Sequence, residues 1–381
     1  MFGIFFTITI LFFIVIVFFF LRKKRLSPVK GKNEESKKIQ IKRAKSNPVF
    51  SPEGNSWRSQ GTFNPAAIKD TKNNIHLLYR ALGEDGISRL GYAESSDGEN
   101  FEGLPYPIFS LERFLENKRS TEERKIDRAL YPSGGSWIGI EDPRMVSIEG
   151  KIYVTFNAFD GWDFVRVGVV SIKEEDFFKK QFYWSNPLFI SPKGKVNKNW
   201  VLFPEKINKK FAILHSINPY VQIEYVDNIE NIPFAEEEIK SIHGQKKPRD
   251  EWDTWVRSAG PPPLKTEKGW LIFYHATNKD EPHQYKLGAM LLDLKNPEKI
   301  IARSPNALMS PEMWYENDWK PGIIYVCGAV IQDGRIRLYY GGGDKYVCTG
   351  EAPLKPFLDW LVSEGEKGGE IFRDVKVKIK K

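Results

Sequence analysis

Five times along this chain a short β-rich run follows a turn signal, and each run sits between two similar ones. The central runs are residues 75–81 (IHLLYRA), 151–158 (KIYVTFNA), 211–216 (FAILHS), 270–276 (WLIFYHA) and 335–341 (RIRLYYG). Before them stand FNPAAI, EDPRMVSI, LFPEKI, AGPPPL and CGAVI. After them stand RLGYAESSDG, RVGVVSI, VQIEYVDN, KLGAMLLDL and the weaker YVCTGEA. Apolar positions that alternate over short stretches between turns are the pattern of half-buried strands. The central runs start 76, 60, 59 and 65 residues apart, a period that fits propeller blades of three or four strands. A β-sandwich would not call for five matched triplets. The repeats therefore predict an all-β protein, a five-bladed β-propeller over residues 47–350, with residues 351–381 as a C-terminal extension.

The chain ahead of the repeats has a different composition. Residues 2–21 carry no charged side chain, and at 1.5 Å per residue such a helix spans about 30 Å, the thickness of a bilayer core. No cationic residue precedes the run and no small-residue cleavage site follows it, which favours a retained transmembrane helix over residues 1–21 rather than a cleaved signal. Residues 22–46 read as a basic linker. Residues 22–45 hold eleven Lys or Arg against Glu34 and Glu35, so they account for the whole formal charge of +8 and leave the rest near −1. That distribution argues against a nucleic-acid partner. Under the positive-inside tendency it predicts a single-pass membrane protein with a cytoplasmic propeller. The two cysteines, Cys327 and Cys348, are too few for a disulfide framework or a zinc cage, and the five histidines show no metal spacing.

In a propeller the first strand of each blade faces the central channel, and here those strands are polar. They offer Asn64, Glu141 and Asp142 with Arg144, and Glu205 with Lys206; the second strands end at Arg80, His215 and His275, and Asp344 follows the last of them. Charged groups that converge from several repeats suggest a pocket for a polar ligand, and inter-blade salt bridges are the alternative. Carboxylates, amides and tryptophans such as Trp57, Trp137, Trp162 and Trp255 suit a carbohydrate. No serine-nucleophile elbow or phosphate-binding loop occurs.

At these residues the chain resembles glycoside hydrolase family 130, the β-mannoside phosphorylases and their hydrolytic relatives. The resemblance rests on GIEDPR at 139–144, LFPEK at 202–206, AGPPP at 259–263, GWLIFYH at 269–275, LGAMLLDL at 287–294, IIAR at 300–303 and YYGGGD at 339–344. It implies a five-bladed propeller, a catalytic acid at Asp142, a phosphate pocket formed by Arg166, Lys206 and His275, and substrate contacts from Asn64, Arg80, Arg144 and Asp344. The activity implied is reversible, inverting phosphorolysis of a β-mannoside to mannose 1-phosphate. Carbohydrate and phosphate are then the partners, with no metal and no cofactor beyond phosphate as co-substrate; a homo-oligomer is compatible with the sequence. A hydrolase with Glu205 as base and a non-catalytic glycan-binding propeller are the alternatives. The chain departs from the family at His215–Pro219, where His-Ser-Ile-Asn-Pro stands in place of His-Arg-Pro, and at residues 319–325. One expectation concerns Asp142 itself: burial and its neighbour Glu141 should raise its pKa and keep it protonated.

Overall fold

Strands form wherever the sequence alternates, and Pro, Gly and Asn close them. The computed structural model describes residues 39–367 apart from 113, 115–125, 128, 162–163 and 244–251. The strands, in chain order, fall into five antiparallel groups preceded by β1 (Lys42–Arg43). The first group is β2 (Gly61–Lys69), β3 (Ile75–Leu82), β4 (Ile87–Ser95) and β5 (Glu102–Gly103). The second is β6 (Ile138–Ile148), β7 (Lys151–Asp160), β8 (Val165–Lys173) and β9 (Leu188–Phe189), with helix α1 (Glu174–Phe178) between the last two. The third holds β10 (Val201–Leu202), β11 (Phe211–Ser216) and β12 (Gln222–Val226). The fourth holds β13 (Trp255–Ala259), β14 (Leu264–Thr266), β15 (Gly269–Thr277), β16 (Lys286–Leu292) and β17 (Ile300–Arg303). The fifth is β18 (Ile324–Gln332), β19 (Arg335–Gly342) and β20 (Tyr346–Pro353), followed by helix α2 (Leu354–Glu364) and β21 (Glu366–Lys367). The fold is all-β, and every central run of the sequence repeat is a strand paired on both sides within its group.

The core consists of five apolar layers, each between two successive groups. Leu78, Tyr92, Ile140, Met145 and Phe156 join the first group to the second. Val146, Val167, Leu202 and Ile213 join the second to the third, and Val201, Leu214, Trp270 and Ile272 join the third to the fourth. Leu271, Phe273, Val326 and Leu338 join the fourth to the fifth, and Ala67, Leu77, Val330 and Tyr339 join the fifth back to the first. Strand alternation is the cause: successive residues of each sheet face opposite neighbours, so both faces are apolar. Each large side chain buried in this way contributes roughly 1.5–3 kcal/mol. The groups thus follow one another in a closed ring.

The ring closes through residues outside the expected 47–350 span. Strand β1 pairs antiparallel with β20, and Arg43 donates from Nε and Nη2 to the fully buried Glu316 carboxylate at 2.7 and 3.0 Å. At the other end, α2 buries Phe357, Leu358 and Leu361 in the core and β21 pairs with β17. Residues 39–46 and 351–367 therefore belong to the folded body rather than to a linker and an extension.

The expected membrane placement is corrected. No helix among the described residues is long and apolar enough to cross a membrane, and residues 1–21, on which the expectation rested, lie outside the described residues.

The first strands of four groups share a defect that governs the site. Pairing slips by one residue between Phe63 and Ala66, Glu141 and Arg144, Val256 and Ser258, and Val326 and Gly328. Each is a β-bulge, which kinks a strand and re-aims the extra side chain. Asn64 and Asp142 stand at two of these bulges with φ of +49° and +48°, a left-handed conformation that Asn and Asp tolerate better than other side chains.

Candidate active site

The inner strands meet around a cavity of about 340 Å³. Every group contributes to its wall. The bulges of β2 and β6 present Asn64 and Asp142; the segment before β10 presents Lys198 and Asn199; β13 presents Arg257 and Ser258. Tyr285, Tyr325, Lys320 and Asp344 complete the ring, and Pro132 and Ser133 border it from the loop before β6. A narrower recess of about 60 Å³ shares Lys198, Asn199, Arg257 and Ser258 with this cavity and is also lined by His215, Ser216, Asn218 and His243.

Asp142 is held from three sides. Asn64 Nδ2 donates to its Oδ1 at 2.6 Å, Asn157 Nδ2 donates to Oδ2 at 3.3 Å, and Arg80 Nη1 lies 3.6 Å from Oδ1. Asn64 fits because Gly341 leaves room: a Cβ there would lie 2.0 Å from Asn64 Oδ1. Arg144 sits behind, donating from Nη1 to the Asp142 carbonyl and from Nε to Gly260 O at 3.1 Å. Burial pushes the Asp142 pKa up, but Arg80, Arg144, Lys198 and the Asn64 bond together hold it below the usual carboxylate value. The expected elevation is therefore corrected. Strand alternation also misled the placement of its neighbours, because the bulge interrupts it between residues 141 and 144.

Glu141 does not line the cavity. It is fully buried and anchors the cations around Asp142, accepting from Arg80 Nη2 at 2.9 Å, Ser136 Oγ at 3.1 Å and Lys198 Nζ at 3.1 Å. Arg80 itself is buried against the Phe63 ring and donates to Ser88 Oγ at 2.8 Å and Ser133 O at 2.7 Å. Arg80 and Arg144 thus act from behind the wall, while Asn64 and Asp344 are on it. Asp344 pairs with Lys320 at 3.2 Å, which leaves a charged acceptor at the cavity mouth.

The three residues expected to hold phosphate do not face the cavity. Arg166 is spent on backbone carbonyls, donating to Ser191 O at 3.0 Å and Phe189 O at 3.1 Å. Lys206 pairs with Glu149 at 2.8 Å above the Phe211 ring. His275 is fully buried, accepts the Val326 N–H at Nε2 (2.8 Å) and stacks on Tyr325 with centroids 4.2 Å apart. Burial, reinforced by Arg144, pushes its pKa down to about 3, so it is a neutral support for Tyr325. Glu205, the base of the hydrolytic alternative, pairs with Lys265 at 2.6 Å and lines neither space. Trp57 and Trp137 donate to Pro105 O and Asp85 O away from the cavity; Trp162 lies outside the described residues.

The cations on the wall are Lys198, Arg257 and Lys320, none of them expected. Arg257 occupies in β13 the bulge that Asn64 and Asp142 occupy in β2 and β6, a register slip that its sequence does not mark. Lys198 and Lys320 come from irregular segments that the repeat does not register. In the recess, His215 shares a 2.8 Å hydrogen bond with Ser241 Oγ, and burial with His243 pushes its pKa down to about 4. Ser216 lines the recess together with Arg257.

Known proteins share this architecture. The family model described as beta-1,4-mannooligosaccharide phosphorylase matches residues 25–363. A 1,2-beta-oligomannan phosphorylase of Thermoanaerobacter sp. (strain X514) is 34% identical, over 83% of this chain and 98% of that protein. A beta-1,2-mannobiose phosphorylase of the same organism is 30% identical, over 81% and 96%. The solved beta-1,2-mannobiose phosphorylase of Listeria innocua, in complex with beta-1,2-mannobiose, superposes with a TM-score of 0.63 at 22% identity, covering 85% of this chain and 99% of its own.

Proposed function

The chain belongs to glycoside hydrolase family 130, and we propose that it is an inverting phosphorylase that breaks a terminal β-mannoside with inorganic phosphate. The observation that carries this reading is the charge arrangement of the cavity. Two carboxylates line it, Asp142 and the Lys320-paired Asp344, and three cations, Lys198, Arg257 and Lys320, share the wall with them. Hydrolysis by inversion needs a second carboxylate to activate water, whereas phosphate is already an anion and needs cations.

The terminal mannose lies in the cavity against Tyr325, with Asn64 and Asp344 as hydrogen-bond partners for its hydroxyls. Phosphate binds beside Lys198 and Arg257, at the opening of the recess. It attacks the anomeric carbon on the face opposite the leaving oxygen, so the C–O bond to the aglycone breaks as the C–O bond to phosphate forms. Asp142 supplies the proton that the leaving oxygen takes up and is reprotonated from solvent. Phosphate charge beside Lys198 offsets the cations that lower the Asp142 pKa, which favours the acid form that the reaction needs. The five strand groups act as the blades of a five-bladed propeller, with the bulged first strands forming the channel wall.

Relatives at 34% and 30% identity are named for β-1,2 linkages, which makes β-1,2-mannobiose the first substrate to test. Rates on β-1,2- and β-1,4-mannobiose at increasing phosphate decide the reading. A hyperbolic dependence on phosphate with the β-1,2 compound preferred supports it; a rate that phosphate does not change points to hydrolysis.

A further inference from the structure

We propose that an aromatic ridge at the cavity mouth, built on Trp314, Trp319 and Tyr346, binds the distal sugars of a β-mannan oligosaccharide whose terminal mannose occupies the cavity. This rests on the phosphorylase reading above and extends it from a disaccharide to a chain-length preference.

Trp314 is the one tryptophan among the described residues that stands open to solvent, with 60% of its surface exposed. It is nevertheless fixed in place. Its neighbours Tyr315 and Glu316 are buried, and Glu316 accepts the backbone N–H groups of Glu312 and Met313 at 2.8 and 3.0 Å. Trp314 meets Tyr315 and Tyr346 edge-on, at 5.6 Å and 79° and at 5.4 Å and 74°. The T-shaped contacts orient the indole, and its 60% exposure leaves aromatic surface that can stack on the C–H face of a sugar.

Polar groups flank the ring. Asp318 Oδ2 accepts from Lys345 Nζ at 2.8 Å and from Tyr346 Oη at 2.7 Å, and Lys345 Nζ also lies 5.9 Å above the Trp319 ring. Convergent polar groups beside an exposed aromatic face match sugar hydroxyls around an apolar ring face. A protein partner would call for a broader apolar patch.

Two residues of the cavity wall adjoin the ridge along the chain. Lys320 follows Trp319 and Asp344 precedes Lys345, and these two line the cavity and pair with each other at 3.2 Å. When the terminal mannose reaches Asp142, the rest of the chain leaves past this pair and runs onto the ridge.

The test compares Trp314→Ala and Trp314→Phe with the unaltered protein on β-1,2-mannobiose and β-1,2-mannotetraose, with phosphate. Stacking of this kind corresponds to about 3–10-fold in affinity. The expected result is a loss of that size in kcat/KM for the tetraose, carried by KM, with the biose changed less than twofold and Phe restoring most of it. Equal effects on both lengths, or none, would overturn the ridge. If neither sugar is turned over with phosphate, the phosphorylase reading has failed on its own account. The ridge is then decided by direct titration of the tetraose, where a loss of binding in Trp314→Ala supports it and unchanged binding overturns it.

Discussion

Replacing Asp142 with Asn separates the acid from its shape. Asn tolerates the φ of +48° as readily as Asp does, so the backbone bulge is kept while the proton and the charge are lost. General acid catalysis of this kind is worth about 10²–10⁴-fold, and the loss should appear in kcat. Stability offers a second, independent readout. The Arg80 guanidinium 3.6 Å away attracts the carboxylate by roughly 5 kcal/mol at an effective dielectric of about 20, and the desolvation of both charges offsets much of it. What remains is on the scale of hydrogen bonds to a charged group, about 1.5–3 kcal/mol. The sign follows from the depressed pKa. The ionised form stabilises the fold above the ordinary value of 3.8, and that contribution is lost as pH falls through the lowered folded value. Urea denaturation should therefore find Asp142→Asn less stable by about 1.5–3 kcal/mol at pH 7, with the gap closing below pH ~4. A variant as stable as the parent, or more so, at pH 7 would refute the electrostatic account of the site.

Six further substitutions probe the phosphate contacts, the Asn64 seat and the ring closure. Lys198→Met and Arg257→Met should raise the KM for phosphate by about 10–100-fold, the scale of a lost charged hydrogen bond. Arg166→Ala and Lys206→Ala should leave it nearly unchanged, since both side chains are engaged elsewhere; initial rates at varied phosphate check this. Gly341→Ala would place a methyl group 2.0 Å from Asn64 Oδ1, so it should displace Asn64 and lower kcat while circular dichroism stays native. Arg43→Met leaves the buried Glu316 carboxylate without its cation. It should cost about 2–4 kcal/mol in urea denaturation, somewhat less than a fully buried pair because Arg43 is partly exposed.

The strands were legible as short, apolar-rich runs between turn signals: residues 75–81 are buried at every position because each face packs on a different neighbour. The cavity positions of Asn64 and Asp142 on first strands, and of Asp344 just after a second strand, were legible as well, because polar residues there need a polar destination. The phosphate candidates failed for a physical reason. Arg166, Lys206 and His275 lie on or beside strands at positions that fit the family resemblance, but strand direction alone does not say whether a long side chain reaches the channel or a nearby carbonyl. Lys198 and Lys320 come from loops, where no period fixes direction. The bulges were the hidden variable. A one-residue slip re-aims Asp142 and Arg257, and nothing in EDPR or VRSA beyond a single proline marks it. The ring-closing pair of Arg43 and Glu316 was invisible for another reason: its partners stand 273 residues apart.

The most direct test is the identity of the first product. Incubation of the protein with β-1,2-mannobiose and inorganic phosphate, followed by phosphorus and proton NMR from the earliest time points, should show α-mannose 1-phosphate appearing as phosphate and disaccharide disappear in equal amounts. The α configuration is the mark of a single inverting displacement at a β-linked sugar. Free mannose appearing at the same rate with or without phosphate, and no sugar phosphate at any time, would contradict the assignment of this cavity to phosphorolysis.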